Sequence, residues 1–293
     1  MKRKVNYLNN KDMLLEIHRS KISFCDYDDE DHAWFDLILN TITDVKTGNK
    51  PNTIEDILLP ENIEEAKRRR AARIADMNYR AAVKSAGDDQ KPKLSQYKFD
   101  YNTIEEDELV FRVMTYDHIP KEPDRKKNPK TDADYCVRLN YIPFVHYVIE
   151  RDANNNQVLK QVLTSHHHDG KFSLTSGSIT NTLAKMFMLL VSKYSQRSNW
   201  RGYTYLDEMK GQALLQLSSM GLQFNEEKSD NPFSYYTVSV SNSFTRVLNI
   251  EKKNQNLRDD LLVQAGKNPS STRQLAIEEE IRNMRESASS SSE

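Results

Sequence analysis

The sequence predicts a mainly α-helical chain interrupted by a block with β character, and three observations lead there. Apolar residues recur every three or four positions in three runs between positions 180 and 253, the period of a helix with one buried stripe. By contrast, ELVFRVMTY (108–116) and YCVRLNYIPFVHYVIE (135–150) are dense in β-branched and aromatic residues, a composition that suits a small sheet. Only eight glycines occur in 293 residues, so tight loops shaped around a ligand are scarce.

From the N-terminus, 9–16 gives a helix start. HAWFDLILNT (32–41), with Trp34, Phe35, Ile38 and Leu39 apolar, reads as a second short helix, so 1–43 is expected to be helical and to pack on the later core. From Asp44 the character changes. TGNKPN and LLPENI are rich in helix breakers, 61–83 reads as a highly charged, exposed helix, and 85–94 as a linker. Within that helix Lys67, Arg68, Arg69, Arg70 and Arg73 offer a contact for nucleic acid. With Glu61, Glu64 and Glu65 just upstream, intrahelical pairs on a solvated face are the plainer reading. HIPKEPDRKKNPKTD (118–132) is too rich in proline and charge for regular structure, and the three asparagines at 154–156 make a turn before 158–163, which suggests a hairpin. The segment 44–171 is therefore expected to be an insertion holding a charged helix, a linker and a small sheet.

The segment 172–260 carries the helical core. In 180–194, Leu183, Phe187, Leu190 and Tyr194 share a face and Met186, Met188, Leu189 and Val191 add more apolar surface, so burial on more than one side is expected. In 205–220, Leu206, Met209, Ala213, Leu217 and Met220 form one stripe, while Asp207, Glu208, Gln212 and Gln216 fall largely off it. Asp207 and Glu208 occupy the first turn, where the helix dipole favours acid. Asp230, Asn231 and Pro232 are a start signal for the next helix, because an Asx side chain accepts orphan amide hydrogens and proline at the first position lacks nothing it needs there. Phe233, Tyr236, Val240, Phe244 and Val247 then face a core, and Tyr235, Ser239, Asn242, Arg246 and Lys253 form a second, polar face. Arg246, Lys252, Lys253 and Arg258 gather toward the C-terminal end, where cations complement the dipole and suit phosphates. The pattern alone fits an ordinary solvated helix as well as a DNA-holding one. In 261–293, residues 273–286 form a charged helix with Leu275, Ile281 and Met284 roughly aligned, and SASSSSE (287–293) is expected to be disordered.

A formal net charge of −1 argues against indiscriminate binding of nucleic acid, so any DNA contact must be a local patch. Cys25 and Cys136 are far apart and give neither a disulfide framework nor a zinc spacing, which suits a reducing cytoplasm. No apolar run reaches membrane-spanning length, and the N-terminal stretch lacks a signal-peptide core. His166, His167, His168 and Asp169 are chemically proper metal ligands. Consecutive residues do not readily turn toward one ion, so a polar hinge is the expected role, with no metal and no cofactor. No phosphate-cradling glycine motif, GxSxG elbow or HExxH pair occurs, and no catalysis is expected.

The run SGSITNTLAKMFMLLVSKYSQRSNWRGYTYLDEM, then LQFNEEKSDNPFSYYT, then NSFTRVLNIEKKNQNLRDDLL resembles the central region of bacterial sigma factors, most closely the late-transcription sigma factors of T-even-type tailed phages and their cyanophage relatives. NYLNNKDMLLEI (6–17) is similar to the start of those phage proteins, and together the matches cover a little over a third of the chain. The resemblance implies a mainly α fold, a sigma-type helical module at 172–260 split from its N-terminal part by an inserted α+β segment.

It also implies roles. The helix from Tyr205 through Met220 would dock on the clamp helices of the large subunit of host RNA polymerase core, through Asp207, Glu208, Gln212 and Gln216. The following helix would contact the non-template strand of an A/T-rich minus-ten element through Phe233, Tyr235, Tyr236, Ser239, Asn242, Ser243 and Arg246, with Lys252 and Lys253 nearby. Primary sigma factors carry a tryptophan pair where this chain has Ser239 and Val240, so their wedging role has no counterpart. Tyr236 lies on the apolar stripe, which favours a core role, and Tyr235 is better placed to stack on a base. Asn242 suits adenine, and Arg246 suits phosphate. Further implied partners are promoter DNA, a phage late coactivator, since no helix-turn-helix for a minus-thirty-five element is visible, and a sliding clamp. The serine-rich end lacks a recognisable clamp epitope, leaving Leu275, Ile277 and Ile281 as substitutes or a solvated tail. The expected site of action is the cytoplasm of an infected bacterium. Two other readings stay open: a polymerase-binding regulator that does not read DNA, and a helical nucleic-acid-processing enzyme that uses the histidine cluster.

Overall fold

The computed structural model describes residues 8–42, 51–85 and 92–290, with side chains to 285. Asn6 and Tyr7 of the N-terminal motif, 43–50 with much of TGNKPN, 86–91 of the expected linker and 291–293 of the serine-rich end lie outside the described residues. The fold is mainly α with a small mixed sheet. Its helices are α1 (Asn10–Ile22), α2 (Pro60–Ser85), the single turn α3 (Asp132–Tyr135), α4 (Asn181–Ser195), α5 (Leu206–Met220), α6 (Pro232–Gln264) and α7 (Ser271–Ser290). The chain divides into two compact units, Met1–Met186 with Ser219–Phe233, and Phe187–Ser218 with Ser234–Glu293. No helix among the described residues is long and apolar enough to cross a membrane.

Five strands build the sheet of the first unit: β1 (Cys25–Tyr27), β2 (Leu37–Asn40), β3 (Val110–Met114), β4 (Phe144–Arg151) and β5 (Gln157–Ser165), in the order β1-β5-β4-β3-β2. All neighbours are antiparallel except β2 and β3. The expected hairpin is β4–β5, with Asn155 in the left-handed conformation at its turn. The 32–41 run is not a helix. After a short 3-10 turn at Glu30–Ala33 it becomes β2, where Leu37 and Leu39 are buried and alternate with Ile38 and Asn40. A ten-residue apolar run fits either period, and the ladder to β3 decides it. Strands β1 and β2 of the N-terminal stretch thus belong to the same sheet as β3, β4 and β5. The strand expected over 135–150 starts only at Phe144, after Pro143, which has no amide hydrogen to give a ladder.

Every residue of β3 is buried, because both faces of the sheet are covered. Leu37, Leu39, Phe111, Val113 and Ile149 pack with Ile57, Ile63, Ala66 and Ala71, so α2 is not the wholly exposed helix its charge suggested. Its outer face carries the expected intrahelical pairs Arg68–Glu64 (2.6 Å) and Arg69–Glu65 (2.7 Å). Arg70 and Arg73 turn inward instead to the buried Asp36, at 3.4 and 2.8 Å, and Arg73 Nη1 also donates to the Phe35 carbonyl. The carboxyl of Asp36 sits above its ordinary range because burial outweighs the two arginines and the Val110 amide.

The other face holds Arg112 and His146, cross-strand partners in the β3–β4 register. The Arg112 guanidinium lies between the rings of Phe35 and Phe144, 3.9 and 3.8 Å from their centroids. Its Nε donates to His146 Nε2 (3.0 Å), Nη2 meets His18 Nδ1 (3.1 Å), and Nη1 reaches Glu226 Oε2 (3.4 Å). Lys21 Nζ donates to that same oxygen (2.9 Å) and to the Phe224 carbonyl (2.8 Å). Burial, with Arg112 next, holds both histidines well below their ordinary pKa, so they are neutral and accept from the arginine. The connector from α5 to α6 is thereby pinned to the sheet. The end of α1 is pinned to the start of α4 in a similar way. Ser20 Oγ accepts from the Thr180 amide, Thr180 Oγ1 donates to Glu16 Oε2, and Gly177 lies so close to the Phe24 ring that any Cβ there would clash.

In α4 the buried residues Leu183, Met186, Phe187, Leu190, Val191 and Tyr194 form one stripe, about 140° wide at 100° per residue. Burial on more than one side was expected, but Met188 is 59% exposed: the stripe is broad and single. Helix α5 buries Met209, Ala213 and Leu217 as the pattern required. Helix α7 (Ser271–Ser290) contains the charged helix expected over 273–286.

Candidate nucleic-acid interface

Helix α6 begins at Pro232, as its start signal required, and runs 33 residues, about 50 Å at 1.5 Å per residue. The amide of Phe233 donates to Asn10 Oδ1 (3.2 Å), so an asparagine of α1 caps it from outside the local sequence. At the far end Gly266 takes φ +69°, and Lys267 N and Gly266 N donate to the carbonyls of Leu262 and Val263. That closes the helix as a Schellman motif. Asp259 then accepts from both the amide (2.9 Å) and the hydroxyl (2.7 Å) of Ser270, fixing the start of α7.

The apolar side of α6 is aromatic. Tyr236, Val240, Phe244 and Val247 are buried; Phe187 meets Tyr236 at 4.9 Å, and Tyr194 and Trp200 each meet Phe244 at 5.2 Å between ring centroids. Opposite them, Tyr235, Asn242, Arg246, Asn249 and Lys253 fall within an arc of about 60° on a 3.6-residue helix. Tyr235 is half-buried and the other four are exposed. Among the described residues, Arg246, Lys252 and Lys253 pair with no carboxylate. Asn242, Thr245, Arg246, Asn249, Ile250 and Lys253 line one shallow depression of this face.

Three of the expected DNA-contacting residues are not on that face. Tyr236 is 0% exposed, Ser239 6% and Ser243 8%. Tyr236 belongs to the aromatic core by its spacing. Ser239 and Ser243 are turned roughly 40° and 80° from the polar axis toward the apolar side, where small side chains let the helix approach its neighbours. Phe233 is 37% exposed at the helix start, and Lys252 lies about 100° off the polar axis, so neither extends the stripe. Asn249, Thr245 and Ile250 were missed, although Asn249 follows Asn242 by seven residues, two helical turns, and that repeat is the signal for it.

On α5, Asp207, Glu208, Gln212 and Gln216 are all exposed. Asp207 Oδ1 accepts from Lys210 Nζ (2.9 Å), and Glu208 lines a polar groove with Tyr205, Glu251, Gln255 and Arg258. A carboxylate that faces α6 in this groove has less freedom to meet a partner than one at the outer edge, which separates the duties of Glu208 and Asp207.

The histidines separate as well. His166, at φ +57°, turns inward, stacks on Tyr141 (4.1 Å between centroids) and donates from Nε2 to Asn140 Oδ1 (2.8 Å). His167 faces His118 (5.6 Å), and His168 points out to Asp169. Burial, with neighbouring histidines, lowers His166 to about 3 and His118 to about 4. Among the described residues no three His, Cys, Asp or Glu side chains are placed to hold a metal ion. The thiol of Cys25 is pushed up to about 12 by burial, which makes it an inert core group.

No protein family, curated protein or solved structure matches the chain.

Proposed function

We propose that the chain is a phage-encoded sigma-type factor that binds host RNA polymerase and directs initiation at late promoters through an A/T-rich minus-ten element, in the cytoplasm of an infected bacterium. One observation carries the reading: α6 buries an aromatic stripe and carries along one line the half-buried Tyr235 and the exposed Asn242, Arg246 and Lys253, with no carboxylate neutralising the cations among the described residues. A phenol ring for stacking, an amide for a base edge and cations for phosphates are the donors an unpaired strand requires. The acidic and amide face of α5 is the candidate for the polymerase clamp helices, with Asp207 at its outer edge. A late coactivator and a sliding clamp remain proposed partners that complete promoter affinity. The chain itself performs no chemistry in this reading.

Burial of Tyr236, Ser239 and Ser243 favours a second reading, a polymerase-binding regulator that does not read DNA, because it shortens the set of side chains available to bases. Run-off transcription from an A/T-rich promoter with purified bacterial core polymerase separates the two. Specific initiation that requires the chain supports the sigma reading, and stable polymerase binding without initiation supports the regulator. Tyr235→Ala with Asn242→Ala is expected to spare polymerase binding and reduce permanganate reactivity of melted thymines. Unchanged reactivity would show that this face does not touch the strand.

A further inference from the structure

A cavity of about 270 Å³ in the first unit has no part in the reading above. Its walls come from the segment 116–142, with Gln223 at its rim. Short-range pairing fixes that segment: Glu122 N donates to the Tyr135 carbonyl (2.6 Å), Val137 N to the Pro120 carbonyl (3.1 Å), and Lys121 bridges Cys136. Arg125 Nη1 donates to the Cys136 carbonyl (3.0 Å), which holds one corner of its guanidinium and leaves the rest of the fork. Tyr141 forms part of the floor, its hydroxyl donating to the Lys21 carbonyl (3.2 Å).

Three features of this cavity look toward a ligand. Arg125 and Arg138 both line it, and among the described residues neither forms an ion pair with a carboxylate. The hydroxyl of Tyr116 also lacks a hydrogen-bond partner among the described residues, although the side chain is half-buried. Burial raises that phenol to about 12, so it is a donor at neutral pH. The nearest acids do not cancel the arginines. Asp134 is engaged by Lys126 Nζ (2.8 Å) and the Lys130 and Thr131 amides, and Asp132 does not line the cavity. Val137, Leu139 and Ile142 supply apolar wall beside the two tyrosine rings.

We propose that this cavity binds a small phosphomonoester with a planar body, of the size and chemistry of a nucleoside monophosphate. Two guanidiniums, a phenol and the Gln223 amide line the same cavity, which is the set of donors a dianionic phosphate takes, and Arg forks match its oxygens in pairs. The apolar wall and the half-buried Tyr116 ring receive a base. A volume near the lower end of small-molecule sites, roughly 300–1,000 Å³, excludes a dinucleotide.

Isothermal titration of the full-length chain with AMP, UMP, adenosine and inorganic phosphate tests the assignment. At least one monophosphate is expected to bind with a Kd below about 1 mM, about tenfold or more tighter than adenosine and than inorganic phosphate. Arg138→Gln, at an exposed position without a partner among the described residues, is expected to weaken that binding about tenfold while leaving the thermal melt unchanged. No heat from either monophosphate up to several times that concentration would overturn the proposal. So would adenosine or phosphate binding as tightly as the monophosphate, or affinity indifferent to both Arg138→Gln and Arg125→Gln.

Discussion

Replacing Glu226 by Gln removes the carboxylate that faces both Lys21 and Arg112, two side chains with almost no access to water. Its Oε2 stands 2.9 Å from Lys21 Nζ and 3.4 Å from Arg112 Nη1. At an effective dielectric of about 20 each attraction is worth roughly 5 kcal/mol before desolvation is subtracted. Without the acid, two buried cations face two neutral histidines that cannot compensate them. Lys21, whose pKa is already lowered by burial and held up by Glu226, escapes part of the cost by losing its proton. The expected net loss is the broken-pair value, about 3–5 kcal/mol. Urea denaturation followed by far-UV circular dichroism reads it, and native-state hydrogen exchange localises it to β3, β4 and the α5–α6 connector. Glu227→Gln is the control. The carboxylate of that exposed neighbour accepts from Asn40 Nδ2 (3.1 Å) and Asn225 Nδ2 (3.4 Å), both bonds open to water, and its loss is expected to stay within about 0.5 kcal/mol. If the two variants lose similar stability, or Glu226→Gln costs under about 1 kcal/mol, the buried cluster does not pin the connector.

The same cluster sets an acid limit. His18 and His146 have folded pKa values below the unfolded value of about 6.5, as have His166, near 3, and His118, near 4. Below pH 6.5 the unfolded chain takes up protons the folded one refuses, so stability falls by up to about 1.4 kcal/mol per pH unit for each histidine until its folded pKa is passed. Urea midpoints flat between pH 6 and 4 would contradict this. Asp207→Lys is expected to weaken association with core polymerase about tenfold in pull-down titrations without changing the melt, and Glu208→Lys to do less, because Glu208 lies in the groove beside α6; equal effects would reject the outer-edge assignment. Ser239→Trp is expected to lower stability by about 1–3 kcal/mol through overpacking, because the serine is buried against the helix's neighbours. A neutral melt would place position 239 on an accommodating surface.

Helices were legible where a wide apolar stripe and a terminus signal coincided. Pro232 opens α6 at the expected residue because Asx-Pro chemistry is local. What escaped depends on partners distant in sequence. Leu37 and Leu39 become a strand only because β3 lies beside them, and β3 follows some 70 positions later. Arg70 and Arg73 looked like their solvated neighbours until Asp36 was brought under α2. Arg112 gave no sign of burial at all, since a cation inside a strand is tolerated only when two histidines and a glutamate arrive from three other segments. In the candidate interface the error was angular. Helical spacing groups Ser239 and Ser243 with the polar residues, but serines displaced by roughly 40–80° toward the apolar side are small enough to be enclosed, whereas Asn249, displaced about 40° the other way, is exposed.

The burial pattern along α6 bears on how the polar stripe would work. From Tyr236 to Val247 the helix is gripped by aromatic contacts, while beyond Val247 the side chains are mostly exposed, Asp259 excepted, as are all those described in α7. Tyr235, Asn242 and Arg246 therefore lie on the gripped half and Lys253 on the projecting half. Groups on a rigid support keep their geometry and suit base edges, for which angstrom-scale placement decides discrimination. Lysines on a projecting helix tolerate variation and suit phosphates, which carry no sequence information. The two halves are then separable by salt. Lys253→Ala with Lys252→Ala would lower affinity uniformly across sequences and flatten its salt dependence, whereas Asn242→Ala would leave the salt slope unchanged and relax preference for adenine. A salt slope that shifts equally in both variants would mean that the helix meets DNA as one electrostatic surface and reads no base.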